Sequence, residues 1–128
     1  MKSNEPERML VVDDELDMAS GIQRLLKIKG YDVVIATSGE AAIEKAIDFD
    51  PHGILMDIQM PNMDGVEVYR LINAKCPQAF VIFMTAFSSR VDAARKEGAV
   101  EVLTKPIDPE HMYDLIAESM GSLPEVHH

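Results

Sequence analysis

Five times along the chain a short apolar run rich in β-branched residues gives way to apolar residues at helical spacing, and this alternation constrains the fold most. The strand-like runs are Arg8 to Asp13, Tyr31 to Ala36, His52 to Asp57, Ala79 to Thr85 and Val100 to Thr104. A first helix carries Met18, Ile22, Leu25 and Leu26 on one face, with Gly30 as its stop. Ser38 caps a second, which carries Ala42, Ile43, Ala46 and Ile47 and closes near Asp50-Pro51. Asp64 and Glu67 form a capping-box-like start for a third, through Val68, Leu71 and Ile72. Ser88 or Ser89 begins a fourth, ended by Gly98. Asp108-Pro109-Glu110 supplies a cap, a proline at the first helical position and an acid in the first turn; Met112, Leu115 and Ile116 line the fifth helix.

The strand-like runs are continuously apolar instead of alternating, as a parallel sheet covered by helices on both faces requires. Right-handed crossovers then predict an α/β fold, a doubly wound five-stranded parallel sheet with five helices on its two faces. The 128 residues are expected to form one domain over residues 8–120, with flexible ends at 1–7 and 121–128. In such a sheet ligands bind outside the carboxyl ends of the strands. Asp13, Asp14, Asp57, Thr85 and Lys105 all fall at those ends.

Acidic residues outnumber basic ones 22 to 12, which argues against direct nucleic-acid binding and for a divalent cation or a basic partner. No stretch reaches the roughly 20 apolar residues of a membrane span, and the start carries no apolar leader, so a cytoplasmic protein without membrane contact is expected. Cys76, the single cysteine, reads as a small semi-buried residue before Pro77. His52 and His111 lack metal-ligand spacing and read as surface residues. The sequence contains neither a Gly-x-x-x-x-Gly-Lys loop nor a dinucleotide fingerprint.

Taken singly, the charged strand ends have ordinary explanations. Asp13-Asp14 would cap the first helix, Lys105 would pair with a surface acid, and Thr85 would make a local turn hydrogen bond. The coincidence of charge at three strand ends, those of Asp13-Asp14, Asp57 and Lys105, points instead to a site. Carboxylates crowded together oppose one another by about 4 kcal/mol per pair at roughly 4 Å and an effective dielectric near 20. A hard cation with oxygen ligands removes that cost, and Mg²⁺ suits a site that offers a few carboxylates, keeps several waters and receives a phosphate. A carboxylate can itself be the nucleophile in phosphoryl transfer, forming an aspartyl phosphate. Metal, lysine and a hydroxyl donor are then suitable groups to neutralise the equatorial phosphoryl oxygens.

The acidic pair Asp13-Asp14, the segment Met56-Asp57-Ile58-Gln59-Met60-Pro61 with Asn62-Met63-Asp64-Gly65, the step Met84-Thr85-Ala86 and Thr104-Lys105-Pro106 occur in an order and spacing that resemble the receiver domain of two-component response regulators (CheY-like). The resemblance covers roughly Arg8 to Met120. It implies the flavodoxin-like strand order 2-1-3-4-5. It also implies that Asp57 accepts a phosphoryl group from a histidine kinase or phosphotransfer protein and signals to a downstream output domain or protein. Asp14, Asp57 and the backbone carbonyl of Gln59 would bind Mg²⁺ directly, and Asp13 mainly through a metal-bound water. Lys105 would contact the phosphoryl oxygens, Thr85 would swing inward to hydrogen-bond one of them, and the Lys105-Pro106 bond would be cis. Such a domain promotes only its own phosphorylation and dephosphorylation; homodimerisation through the last helices is left open.

Two features depart from the family pattern. Val102 stands three residues before Lys105, where receivers usually carry Tyr or Phe, and the Thr85 to Lys105 segment is slightly short. They put in question a readout through the fourth helix and fifth strand. A receiver-like module that binds partners without being phosphorylated is therefore the leading alternative. A phosphatase with an aspartyl nucleophile is the other, but it needs a general acid two residues after Asp57, where Gln59 offers no acidic proton. Phe87, two residues past Thr85, is expected either to obstruct a hydrolytic water together with Gln59 or simply to pack at the rim.

Overall fold

A computed structural model describes residues 5–60, 63–86 and 101–121 of the chain. Five strands, β1 (Arg8–Val12), β2 (Asp32–Ala36), β3 (Gly53–Asp57), β6 (Phe80–Thr85) and β7 (Glu101–Thr104), form one parallel sheet in the order β2-β1-β3-β6-β7. Counting these five strands alone, that is the expected order 2-1-3-4-5. Two further strands, β4 (Gln59–Met60) and β5 (Met63–Asp64), make a short antiparallel pair directly after β3, which the sequence pattern does not predict. The helices among the described residues are α1 (Leu16–Ile28), α2 (Gly39–Phe49), α3 (Gly65–Lys75) and α4 (Pro109–Gly121). The helix expected from Ser88 or Ser89 to Gly98 lies outside the described residues, so the helix anticipated as fifth is α4. It reaches Gly121, one residue past the expected end of the domain.

Strand pleating explains why the runs are apolar throughout. Leu10 and Val12 of β1 join Ile54, Met56, Val68, Ile72 and Phe83 in the core beneath α2 and α3. Their neighbours Met9 and Val11 join Leu55, Ile82, Leu26, Met112 and Ile116 beneath α1 and α4. Successive side chains thus enter opposite cores, and neither face of a central strand is free for polar residues. Tyr69 of α3 meets Phe83 edge to face, with ring centroids 5.6 Å apart.

The helix ends follow from local chemistry. At the end of α1 the N–H groups of Gly30 and Tyr31 donate to the carbonyls of Lys27 (3.0 Å) and Leu26 (3.2 Å), with Gly30 at φ 93°, a reversal that glycine adopts without a Cβ penalty. Ser38 Oγ accepts the Ala41 N–H at the start of α2 (3.1 Å), Asp64 Oδ1 the Val66 N–H at the start of α3 (2.9 Å), and Asp108 Oδ1 the Glu110 N–H at the start of α4 (3.2 Å).

His52 differs from its expected role. Its imidazole is half-buried, and Nδ1 accepts the Arg8 N–H at 2.9 Å, tying the start of β1 to the residue before β3. His111 is exposed. Cys76 is buried, with Sγ 3.4 Å from the Ala46 carbonyl. Among the described residues no helix is long and apolar enough to cross a membrane.

Candidate functional site at the carboxyl edge of the sheet

Parallel pairing brings the ends of the strands to one edge. Beyond β1, Asp13 stays tethered to β2 through its N–H, which donates to the Ala36 carbonyl at 3.1 Å. Asp57 ends β3 beside Met84 of β6, while Thr85 ends β6 beside Thr104 of β7. The next residue after Thr104, Lys105, donates its N–H to the Thr85 carbonyl at 2.8 Å, and the Lys105-Pro106 bond is cis, as expected.

The charged groups converge. Lys105 Nζ lies 3.1 Å from Asp13 Oδ2 and 3.0 Å from Asp57 Oδ2, so one ammonium bridges two buried carboxylates. The opposite oxygen of each carboxylate accepts a backbone N–H two residues on, from Glu15 to Asp13 Oδ1 and from Gln59 to Asp57 Oδ1, both at 3.0 Å. Asp13 thus pairs with Lys105 and organises the turn before α1, whereas the expected cap from Asp13-Asp14 is not formed: the N-cap position of α1 falls on Glu15, whose side chain makes no capping hydrogen bond. Asp14 is exposed at the rim, and one oxygen from each of Asp13, Asp14 and Asp57 lies within 4.8 Å of the others.

Electrostatics leave this cluster short of positive charge. Burial pushes the Asp57 carboxyl above the ordinary carboxylate range; the Gln59 N–H and Lys105 pull it back, and Asp13 adds to the rise. Burial alone would lower the Lys105 ammonium, but hydrogen bonds and attraction from Asp57 and Asp13 outweigh it and hold the amine more firmly protonated than usual. Three carboxylates against one ammonium leave two formal negative charges. An all-oxygen donor set with that residual charge fits a divalent, hard cation such as Mg²⁺.

The remaining expected residues are placed as follows. Gln59 opens β4 with its side chain exposed, and Thr85 is buried. Val102 sits in β7 beside Phe83 and packs, half-buried, against the core beneath α2 and α3. Phe87 lies outside the described residues. Sequence reasoning missed the backbone donors that hold the two carboxylates. The signal was present, because aspartate readily accepts the N–H two residues on, and Asp13, Asp57, Asp64 and Asp108 all do so.

A doubly wound parallel sheet with an acidic pair, a strand-terminal aspartate and a bridging lysine at its carboxyl edge defines the class of receiver proteins. The sequence profile of the response regulator receiver domain matches residues 9–117, and the chain belongs to that family, the phosphoacceptor signalling domains of two-component systems. The chain is 37% identical over 122 residues to the transcriptional regulatory protein ZraR of Klebsiella oxytoca, covering 93% of this chain and 27% of that protein. It is 34% identical over 104 residues to the alkaline phosphatase synthesis transcriptional regulatory protein PhoP of Bacillus subtilis, covering 80% of this chain and 43% of that protein. It thus spans less than half the length of either relative. Among solved structures, the response regulator domain of Thermotoga maritima CheB superposes with a TM-score of 0.84 at 32% identity, over 93% of this chain and 99% of that one. A receiver domain protein (CheY-like) from Methanospirillum hungatei gives a TM-score of 0.86 at 24% identity, over 91% and 94% of the two chains, which speaks for the fold alone.

Proposed function

We propose that Asp57 takes a phosphoryl group from the phosphohistidine of a histidine kinase or phosphotransfer protein, in a Mg²⁺-dependent reaction, and that the modified domain signals to a downstream output domain or protein. The observation that carries this reading is the bridge from Lys105 Nζ to Asp13 and Asp57, beside a third carboxylate from Asp14. An Asp57 carboxylate oxygen attacks phosphorus while the P–N bond of phosphohistidine breaks, and the bonding electron pair leaves with the imidazole. The product is an acyl phosphate, and attack by water returns aspartate and inorganic phosphate. Asp13, Asp14, Asp57 and the Gln59 carbonyl would hold Mg²⁺, which when bound neutralises charge on the transferring phosphoryl oxygens. Lys105 turns from bridging carboxylates to contacting those oxygens. Thr85, at the end of the neighbouring strand, supplies a hydroxyl donor.

The proposed domain spans residues 8–120 and acts in the cytoplasm. The relatives' greater length favours an output region beyond the receiver. Val102 favours a second reading, a partner-binding module that needs no phosphorylation, but such a module has no use for buried carboxylates that oppose one another. Incubation with an autophosphorylated histidine kinase core, with and without Mg²⁺, separates the readings. Metal-dependent transfer of label that stays on the domain supports the receiver. No transfer supports the module, and steady phosphate release at enzymatic rates supports a phosphatase.

A further inference from the structure

We propose that Gly65 is a positioning residue for the acceptor site: the absence of a side chain there lets α3 begin directly against the backbone of Asp57 and Ile58, which fixes the turn presenting the Asp57 carboxylate and the Gln59 carbonyl. A Cβ at position 65 would lie 2.6 Å from Ile58 Cα, 2.7 Å from the Asp57 carbonyl oxygen and 2.7 Å from the Ile58 carbonyl oxygen. Carbon atoms in contact ordinarily stand about 3.5–4.0 Å apart, so a methyl group would require a shift on the order of 1 Å. All three obstructing atoms are backbone and cannot rotate away as a side chain would.

The need is for space and not for unusual backbone geometry, because Gly30 is the only glycine with positive φ among the described residues. The same glycine at position 65 donates its N–H to the Ile58 carbonyl at 2.7 Å, and on the other side the Ile58 N–H donates to the Met84 carbonyl at 3.0 Å. Ile58 is therefore held between β6 and α3, one residue from Asp57 and one from Gln59. Pairing of Gln59 with Asp64 closes the turn immediately before Gly65. A shift forced at position 65 falls on the acceptor turn, since the far side of that turn is anchored in the sheet.

This inference rests on the acceptor reading of Asp57, and its test separates the two. Mg²⁺ is titrated into the wild-type chain, Gly65→Ala and the control Ile22→Val, whose side chain packs in the opposite core, by isothermal calorimetry and amide NMR on folded protein. Gly65→Ala is expected to weaken Mg²⁺ binding by about 10–100-fold, as loss of a ligand-orienting partner does. Its phosphoryl uptake at saturating Mg²⁺ is expected to slow by up to about 10²-fold, the cost of a 1 Å misplacement. The Ile22→Val control, although less stable, keeps wild-type affinity. Wild-type Mg²⁺ affinity in Gly65→Ala overturns the inference and leaves the acceptor reading standing; absence of Mg²⁺ binding by the wild-type chain overturns both. Should Gly65→Ala not fold, the wild-type amides decide. The Gly65 resonance is expected to move with the same midpoint as that of Gln59, and a Gly65 resonance that stays still while Gln59 moves overturns the proposal.

Discussion

Replacing Lys105 with methionine keeps an apolar stem and removes the ammonium that bridges Asp13 and Asp57. The cost follows from the geometry: both Nζ–Oδ2 distances are near hydrogen-bond length, and the two acids are 0% and 6% exposed. Removing one partner of a buried ion pair costs about 3–5 kcal/mol, because the other charge is left without compensation. Two carboxylates without their shared cation also repel each other, by about 4 kcal/mol at roughly 4 Å and an effective dielectric near 20, until one takes a proton and limits the penalty. Without divalent cation, Lys105→Met is therefore expected to lose about 3–5 kcal/mol at pH 7, a large share of the roughly 5–15 kcal/mol typical of a domain. The chain has no Trp, so urea unfolding is best followed by far-UV circular dichroism. With a slope near 2 kcal/mol/M, the midpoint falls by about 2 M. Mg²⁺ at a hundred times its Kd returns about 2.7 kcal/mol. A loss below about 1 kcal/mol, the size expected of an exposed pair, would refute the role given to Lys105.

Asp57→Asn is expected to stabilise the Mg²⁺-free domain at neutral pH. Burial raises the folded pKa of Asp57 above the ordinary aspartate value of 3.8, so between the unfolded and folded values the native state binds more protons, and this group's contribution falls as pH rises. The advantage of asparagine should be greatest above the folded pKa and vanish below the unfolded one; unfolding curves across that range check the sign. Gly21 lies exposed inside α1, and a Cβ there would meet no atom within 4 Å, so Gly21→Ala should gain about 0.5–1 kcal/mol in urea unfolding. Ser38→Ala, which loses the bond to the Ala41 N–H, should cost about 1 kcal/mol in the same assay without altering Mg²⁺ affinity.

The sheet was legible because β1, β3 and β6 enter two cores through alternate residues, which writes an unbroken apolar run. The helices were legible from their ends, as Gly30, Ser38, Asp64 and Asp108 show. The β4–β5 pair left no trace because two residues per strand are too few to display a period. Lys105 is 92 residues from Asp13 and 48 from Asp57, so its bridging of the two becomes visible only once strand order is set. His52 looked bland because its task, accepting the Arg8 N–H, depends on the neighbouring strand and not on any local pattern. Gly65 was read as part of a motif, whereas its proximity to the Asp57 and Ile58 backbone arises from the packing of α3 against the end of β3.

The most direct measurement of Asp57 as the phosphoacceptor is mass-spectrometric mapping after exposure to a small acyl phosphate with Mg²⁺. One phosphoryl group on the peptide containing Asp57 is expected, absent when the metal is chelated and absent in Asp57→Asn. A phosphoryl group mapped to another residue, or uptake undiminished by Asp57→Asn, would contradict the assignment.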